Sequence, residues 1–339
     1  MAKAVRGPSM FDVARLAGVS HQTVSRVLNE HPNVKDTTRA RVRSAIEQLG
    51  YRPNRAARTL VTGRDQVLGI VAPRSTLFGP VSLLAAFEEQ AGVAGFGISV
   101  VRVREHVAGQ VTEAVTKLLD ARVAGVVVIA PVADVAGALD EVSGDVPLVT
   151  VDGDPADDRP MATVDQELGA RLATEHLLAA GHRTVWHVGG PTDWFDATGR
   201  ARGWAAALRD AGIEPPPIVP GDWSPDAGYQ AGQFLGRMPE VTAVFTANDG
   251  LATGLLHALH DLGRDVPGEV SVVGFDDVPA SAHLVPPLTT LRPDFEAVAR
   301  EALDLLLSDP DDEGAVGLHR HVAPVLVPRA SVAAPPSAS

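Results

Sequence analysis

Residues 10–64 read MFDVARLAGVSHQTVSRVLNEHPNVKDTTRARVRSAIEQLGYRPNRAARTLVTGR. Apolar residues recur there at helical spacing and predict three short helices, over about residues 11–17, 21–29 and 37–49. The predicted inner faces are Phe11, Val13, Ala14 and Leu16, then Val24, Val27 and Leu28, then Val42, Ile46 and Leu49. Together these faces are enough for one small helical core.

The first two helices have the spacing of a helix-turn-helix. Gly18 follows the first helix where the chain must turn sharply, and Ser20 is a good N-cap for the second. The second helix of this motif enters the major groove, where Gln and Arg can each make two hydrogen bonds with a base edge. The predicted DNA contacts of the cap and the outer face are Ser20, His21, Gln22, Thr23, Ser25, Arg26 and Asn29.

Charge separates this segment from the rest of the chain. Residues 1–64 contain 12 Lys and Arg against 4 Asp and Glu, a balance of +8, whereas the whole chain carries −13. Residues 65–339 therefore carry about −21. We expect only the N-terminal module to be attracted to a polyphosphate.

Strands and helices alternate from residue 66 onward. The predicted strands cover residues 67–71, 98–103, 126–129, 148–151, 184–188, 241–246, 270–275 and 322–327, and the predicted helices cover residues 81–94, 111–121, 132–141, 168–180, 201–210, 227–238, 251–262 and 295–307. The strands are near-continuous apolar runs, which indicates parallel sheets covered on both faces. We predict a small all-α helix-turn-helix head and an α/β body of two doubly wound parallel-sheet lobes. Ligands bind such sheets at the carboxyl ends of the strands.

Composition narrows the function classes. The chain has no cysteine, no apolar run of about 18 residues and no N-terminal signal with an apolar stretch, so we expect a cytoplasmic, nucleoid-associated protein without a membrane partner. The sequence has no nucleophile elbow, metal-ligand spacing, Walker loop or dinucleotide fingerprint. We therefore expect no enzyme activity, no metal and no cofactor.

The strings DVARLAGVSHQTVSRVLN and YRPNRAARTL resemble the lactose-repressor/galactose-repressor (lacI/galR) family of bacterial transcription regulators. The resemblance covers about residues 10–330 and implies that His21, Gln22 and Arg26 read bases. It also implies a short hinge helix over residues 54–62 that forms on DNA against a second subunit, with Leu60 wedged into the minor groove. On spacing alone, an ordinary linker with one stray Leu is the favoured interpretation of this segment. The predicted contacts here are Tyr51, Asn54, Arg55, Ala57 and Leu60.

The resemblance extends to a body similar to periplasmic sugar-binding proteins, with three crossovers between lobes. Carboxylates, amides and Arg fix sugar hydroxyls, and aromatic rings cover the apolar face of a pyranose. The candidate effector residues are Asp152, Trp194, Phe195, Arg200, Trp223, Asn248, Asp276 and Phe295. The strings around Trp223 and Phe295 lie near the family's lactose-responsive branch, whereas Trp194 and Phe195 depart from it.

Structural interpretations stay open for several of these polar and aromatic positions. Asp152 also suits a turn, Asp249 a helix N-cap, Trp204 the core, and Asp277 a hinge or lobe contact. His182 and His187 suit structural roles.

Domain boundaries follow from these patterns. We expect a DNA-binding domain over residues 1–52, a hinge helix and linker over residues 53–65, and an effector-binding and dimerisation domain over residues 66–330. Its first lobe would comprise about residues 66–163 and 292–320, and its second about residues 164–291 and 321–330. The final PRASVAAPPSAS is Pro/Ala/Ser-rich and predicts a disordered tail over residues 331–339. It contains no leucine heptad, which favours dimers over tetramers.

The leading hypothesis is a homodimeric repressor that binds pseudo-palindromic operator DNA and is released by a sugar of the β-galactoside or β-glucoside class. A corepressor-activated regulator of the same family is the alternative. A solute-binding protein would fit the body but not the head. A glycosidase would fit a pair of carboxylates in a cleft.

Overall fold

The computed structural model describes residues 9–28, 34–49, 67–104, 108–129, 131, 139, 146–308 and 319–336. The chain divides into two compact units, Met1–Asp65 and Gln66–Ser339. Most of the helix predicted over residues 132–141 lies outside the described residues, as does the whole of the predicted hinge helix. None of the described helices is both long enough and apolar enough to cross a membrane.

The first unit contains helices α1 (Met10–Ala17), α2 (His21–Leu28) and α3 (Asp36–Leu49). Ser9 and Asp12 form a capping box at the start of α1, and Gly18 ends the helix in the left-handed conformation with φ 62°. Ser20 Oγ accepts the backbone N–H of Thr23 at 3.2 Å, which confirms the predicted cap of α2. The helix-turn-helix is thus encoded by its caps and turn.

The core of this unit is built from small and branched side chains. Its buried members are Val13, Ala14, Ala17, Val24, Val27, Val42 and Ala45, with Ile46 and Leu49 packed against them. Phe11 and Leu16 are 66% and 49% exposed, so their prediction as core residues is wrong. The tight packing of Val and Ala leaves these larger side chains on the outer side of α1.

The second unit contains a six-stranded sheet and a five-stranded sheet. The elements in chain order are β1 (Val67–Pro73), α4 (Phe78–Val93), β2 (Gly97–Val103), α5 (Ala108–Asp120), β3 (Val126–Ile129), β4 (Leu148–Val151), β5 (Met161–Val164), α6 (Gln166–Ala179), β6 (Trp186–Val188), α7 (Phe195–Asp210), α8 (Pro225–Leu235), β7 (Ala243–Thr246), α9 (Asp249–Asp261), β8 (Ser271–Phe275), a 3₁₀ helix (Pro279–His283), β9 (Thr289–Arg292), α10 (Phe295–Leu307), β10 (His319–Val322) and β11 (Val325–Val327).

The strand order is β10-β5-β4-β3-β1-β2 in the first sheet and β11-β9-β8-β7-β6 in the second. Among the strands that the structure describes, every pairing is parallel except β11 with β9. Neighbouring residues of one strand enter different hydrophobic clusters: Phe245 packs in one and Val244 in the other. Both faces of the sheets are therefore covered by helices, which confirms the predicted fold class.

Within the described residues, the chain crosses from one sheet to the other three times. β5 of the first sheet leads into α6 beside the second, β9 of the second leads into α10 beside the first, and β10 leads into β11. The sequence predicted one last strand over residues 322–327; the structure has two, because residues 319–322 pair with β5 and residues 325–327 with β9. We call the first sheet with its helices lobe 1, and the second lobe 2.

The C-terminal segment differs from expectation. Ser331 is fully buried; its hydroxyl donates to Val272 O at 2.6 Å and accepts the N–H of Thr289 at 2.8 Å. Ala333 accepts hydrogen bonds from Ser271 and pairs with His182. The prediction of a disordered tail is wrong for residues 331–336, because a Pro- and Ala-rich segment is held here by backbone hydrogen bonds to lobe 2.

Candidate functional site

All three predicted base-reading side chains are exposed on α2: His21, Gln22 and Arg26. The His21 ring stacks on Phe11 with a centroid distance of 5.3 Å and an interplanar angle of 11°. The exposed Phe11 therefore supports the first residue of the second helix. Ser20 and Thr23 are tied to each other by a 2.9 Å hydroxyl contact and form the cap. The Ser25 side chain and the predicted DNA contacts Asn29, Tyr51, Asn54, Arg55, Ala57 and Leu60 lie outside the described parts.

The body contains a cleft lined by both lobes. Lobe 1 contributes Leu77, Gly79, Pro80, Ile129, Pro131, Asp152, Val164, Pro293 and Phe295; lobe 2 contributes Gln166, Trp194, Asp196, Arg200, Trp223, Asn248 and Asp276. Seven of the eight candidate effector residues lie here. Phe195 instead lines a neighbouring cavity. The cleft lies beyond the carboxyl ends of the parallel strands, where loops leave the sheets and side chains can face a ligand.

Backbone strain marks the loops that build the cleft. Asp152, Trp223 and Asp276 have φ values of 52°, 72° and 107°, in the region that favours glycine. Asp152 and Asp276 directly follow β4 and β8, Trp223 lies just before α8, and all three line the cleft. Non-glycine residues hold such conformations only where the surrounding structure fixes them, and they concentrate at ligand sites.

Arg200 is the centre of the cleft's polar network. Its Nε donates to Gln166 Oε1 at 2.9 Å and its Nη1 donates to the carbonyl of Ala247. Its Nη2 lies 3.6 Å from Asp276 Oδ1 and 4.0 Å from Asp196 Oδ2. The guanidinium carbon sits 3.7 Å from the Phe275 ring centroid. The ring contact and the two hydrogen bonds donated by Nε and Nη1 hold Arg200 in place. Its Nη2 points toward the two carboxylates.

The cleft is rich in carboxylates that burial disfavours as anions. Burial and, to a smaller extent, the neighbouring Asp196 together raise the pKa of Asp152 to about 8, although the Thr163 hydroxyl, which donates to Asp152 at 2.8 Å, opposes the rise. Burial likewise raises the pKa of Asp276 to about 7 against the opposing effect of Arg200. Burial also raises the pKa of Asp196. The cleft therefore holds three acids around one guanidinium, a set that accepts hydrogen bonds from hydroxyl groups.

Aromatic rings form the apolar part of the cleft. Trp194 and Trp223 meet edge to face with centroids 5.6 Å apart, and Phe295 meets Phe78 at 6.1 Å. Trp223 is 7% exposed and packs on Gly190, where a Cβ would lie 2.5 Å from the ring. Rings in this setting can cover the apolar face of a sugar.

Asn248 joins helix capping to the cleft. Its Oδ1 caps α9 by accepting the Leu251 N–H at 2.8 Å, and its Nδ2 donates to the Trp223 carbonyl at 3.1 Å. The helix N-cap is thus Asn248, whereas Asp249 is the first helical residue. One Asn248 amide hydrogen is left for another acceptor.

The structural interpretations apply to several neighbouring residues. Asp249 accepts hydrogen bonds from Val278 N, Ser281 Oγ and Thr290 Oγ1 at 2.9, 2.6 and 2.6 Å. Asp277 pairs with Arg292 and Arg329, each at 2.6 Å, and so ties the loop after β8 to the segments at two crossovers. Trp204 is buried and donates to Val185 O at 2.9 Å.

Two histidines are also structural. His182 joins Thr242 to the C-terminal segment. Burial lowers the pKa of His187 to about 4, so this ring is neutral near pH 7.

Sequence reasoning missed Gln166 and Asp196. Gln166 opens α6 just after β5, a strand too short and too mixed in composition to be recognised. Asp196 lies four residues before Arg200 in α7, on the same helical face. That spacing was a usable signal, but the helix was predicted to begin at residue 201 and begins at residue 195. No group of three or more His, Cys, Asp or Glu side chains in the described ranges is placed to hold a metal ion.

The sequence is similar to those of known regulatory proteins. A model of bacterial regulatory proteins, lacI family, matches residues 9–54, and a model of a periplasmic binding protein-like domain matches residues 174–332. The lactose operon repressor of Escherichia coli (strain K12) is 34% identical over 332 residues, 96% of this chain and 91% of that protein. The regulator CelR of Thermobifida fusca is 36% identical over 319 residues, 89% of this chain and 92% of that protein.

Solved structures agree with these relatives. The lac repressor dimer bound to operator and the anti-inducer ONPF superposes with a TM-score of 0.86 at 32% identity, covering 97% of this chain and 100% of that one. A complex of the transcriptional regulator CelR with cellobiose gives a TM-score of 0.68 at 30% identity, covering 96% of this chain and 99% of that one.

Proposed function

The chain belongs to the lacI family of bacterial regulatory proteins, and on this premise we propose that it is a transcriptional repressor released from operator DNA by a sugar. The relatives named above are repressors and transcription regulators, and the chain is a regulator and not an enzyme. One observation carries the sensing half of the proposal: seven residues predicted from distant parts of the sequence line a single cleft between two lobes.

Operator binding is assigned to residues 1–52, with residues 53–65 as the hinge. His21, Gln22 and Arg26 are exposed on a helix whose start is fixed by Ser20, so three donor or acceptor side chains are available to base edges. The net charge of +8 over residues 1–64 supplies attraction to phosphate. We assign Leu60 the role of a minor-groove wedge.

Sugar binding is assigned to the cleft. Asp152, Asp276 and Asn248 offer acceptors or an amide donor to hydroxyl groups, while Trp223 and Phe295 offer apolar ring faces. Arg200 has a structural role beside these groups, because two of its nitrogens already donate hydrogen bonds to Gln166 and to the Ala247 carbonyl. We propose a β-galactoside or a β-glucoside as the effector class, supported by the likeness to the lactose operon repressor and to CelR with cellobiose.

Coupling between the two activities follows from where the cleft lies. A ligand that contacts Asp152 and Phe295 in lobe 1 and Asp276 in lobe 2 binds most tightly to one arrangement of the lobes. If the sugar binds one arrangement more tightly than the other, it increases the population of the arrangement that it prefers. The coupling free energy between two sites in allosteric proteins is typically about 1–3 kcal/mol. We propose that the sugar-favoured arrangement separates the two hinges of a homodimer and weakens operator binding.

The test uses the full chain and an operator duplex that the protein itself selects from a random library. Lactose, cellobiose, galactose and glucose are titrated separately into the labelled complex while fluorescence anisotropy reports bound DNA. We expect at least one of these sugars to raise the operator Kd tenfold or more. A sugar that lowers the operator Kd would be a corepressor, and the inducer model would be wrong. Operator binding that none of the four sugars changes would overturn the proposed effector class.

A further inference from the structure

Phe11 is a large apolar residue of the DNA-binding domain that lies outside the helical core. It belongs to the first turn of α1 and is 66% exposed, whereas smaller Val and Ala side chains fill the core. A single exposed apolar side chain is common and needs no explanation by itself. The distinguishing feature of Phe11 is its contact with His21, because the two rings are stacked with centroids 5.3 Å apart and planes 11° from parallel.

Both stacked residues belong to helix starts that hydrogen bonds fix. Ser9 and Asp12, on either side of Phe11, form the capping box of α1. His21 is the first residue of α2, and the Ser20 hydroxyl before it accepts the Thr23 N–H at 3.2 Å. The stacked pair therefore joins two capped helix starts, and the Phe11 ring is held where it can support the imidazole.

The stack restricts the plane of the His21 ring. The last torsion of a histidine side chain is broad, so an unsupported imidazole samples many orientations. Hydrogen bonds prefer N–H···acceptor angles above about 150°, and both imidazole nitrogens act in the ring plane. A fixed plane therefore limits the directions from which a base can be bound. In the major groove guanine presents two acceptors, whereas adenine presents one acceptor and one donor, so such a limit can separate base pairs.

We propose that Phe11 is a positioning residue for base reading, which holds the His21 ring in the orientation that selects one base pair of each operator half-site. The inference rests on the proposed repressor function and on the assignment of His21 to base reading. It adds a determinant of operator specificity on α1, outside the recognition helix. Phe11 acts through His21 and not through a DNA contact of its own.

The test begins with operator selection from a random library by the full chain and by His21→Ala. The base pair whose preference disappears in His21→Ala is the pair that His21 reads. Fluorescence anisotropy then gives the Kd for the selected operator and for a duplex changed at that pair in both half-sites, and the ratio of the two Kd values measures discrimination. The same ratio is measured for Phe11→Ala, for Phe11→Tyr, which keeps a ring, and for Phe11→Ala combined with His21→Ala. The matched control is Leu16→Ala, because Leu16 is 49% exposed on α1 and also lies outside the core.

We expect Phe11→Ala to reduce the discrimination ratio by about tenfold, equivalent to about 1.4 kcal/mol. Its affinity for a duplex of unrelated sequence should equal that of the wild type, because phosphate contacts are unchanged. Phe11→Tyr and Leu16→Ala should keep the wild-type ratio. In the His21→Ala background, Phe11→Ala should cause no further loss, since the ring that Phe11 positions is absent.

Four outcomes overturn the inference. An equal Phe11→Ala loss with and without His21 would show that Phe11 acts independently of that residue. Weakening of every duplex by the same factor would show that Phe11 supports only the fold of the domain. If His21→Ala selects the same operator as the wild type, the role of His21 fails with the inference while the repressor function stands. If the wild type selects no sequence, the proposed function fails as well.

Discussion

Gly190→Ala should damage the cleft without touching a polar group. A Cβ on Gly190 would lie 2.5, 2.6 and 2.8 Å from three carbons of the Trp223 ring. Carbon atoms in favourable contact are about 3.5–4.0 Å apart, so the ring must move by about 1 Å. Trp223 has little freedom to do so, because its ring packs on Trp194 and its carbonyl is bound by Asn248.

The expected magnitude follows from this clash. Overpacking a well-packed site costs about 1–3 kcal/mol. If the displaced ring loses a similar amount of contact with the sugar, the effector Kd rises by roughly tenfold to a hundredfold. Operator affinity in the absence of sugar should stay unchanged, because the DNA-binding residues belong to the other compact unit.

Calorimetry gives the sugar affinity and fluorescence anisotropy the operator affinity. The control is Gly92→Ala in α4, where an added Cβ meets nothing within 4 Å; we expect wild-type sugar affinity. A Gly190→Ala protein that binds sugar as tightly as the wild type would refute the assignment of Trp223 to the ligand surface.

Four further predictions concern stability and DNA. Burial raises the pKa of Asp152 to about 8, so the folded state holds a proton that the unfolded state has lost; the free energy of unfolding should fall as pH rises from about 4 to about 8. Urea titrations at pH 5 and pH 8 should show a smaller fall for Asp152→Asn, and an identical fall would contradict this. Asp249→Ala leaves two hydroxyls and one N–H unpartnered and should cost about 3 kcal/mol or more in urea unfolding; a loss under 1 kcal/mol would be inconsistent with that network. Gln22→Ala should weaken operator binding by about 1–3 kcal/mol while leaving non-specific DNA affinity nearly unchanged in a salt-matched anisotropy assay. Leu60→Ala should reduce DNA bending in a circular-permutation gel assay, and an unchanged bend angle would exclude the wedge.

Local signals predicted most of the helices and strands. The turn at Gly18, the cap at Ser20 and the apolar strand at residues 126–129 all follow from side-chain chemistry within a few residues. The predicted order of lobes and the cleft residues came mainly from the family resemblance. The position of Arg200 shows the limit of residue-based reasoning: the sequence named it as a ligand contact, whereas the structure also shows it anchoring Gln166.

Elements that depend on distant partners could not be predicted from local patterns. The strand at residues 161–164 is only four residues long and is identified by pairing with β4 and β10. Phe11 has an apolar side chain at a helical position, yet the core of this unit is filled by smaller Val and Ala side chains from all three helices. Ser331 is buried because Val272 and Thr289 of lobe 2 bind its hydroxyl, which no composition rule reveals.

The central claim is that a sugar bound in the cleft controls the operator affinity of the DNA-binding domain. Its most direct test is sugar-induced release of the operator from the wild type and from Asp276→Asn, measured side by side by anisotropy. Asn keeps the size of the side chain and tolerates the φ of 107° better than most residues, so the fold should be kept. We predict equal operator affinity without sugar and release of the wild type alone. Equal release of both proteins at the same sugar concentration would contradict the account.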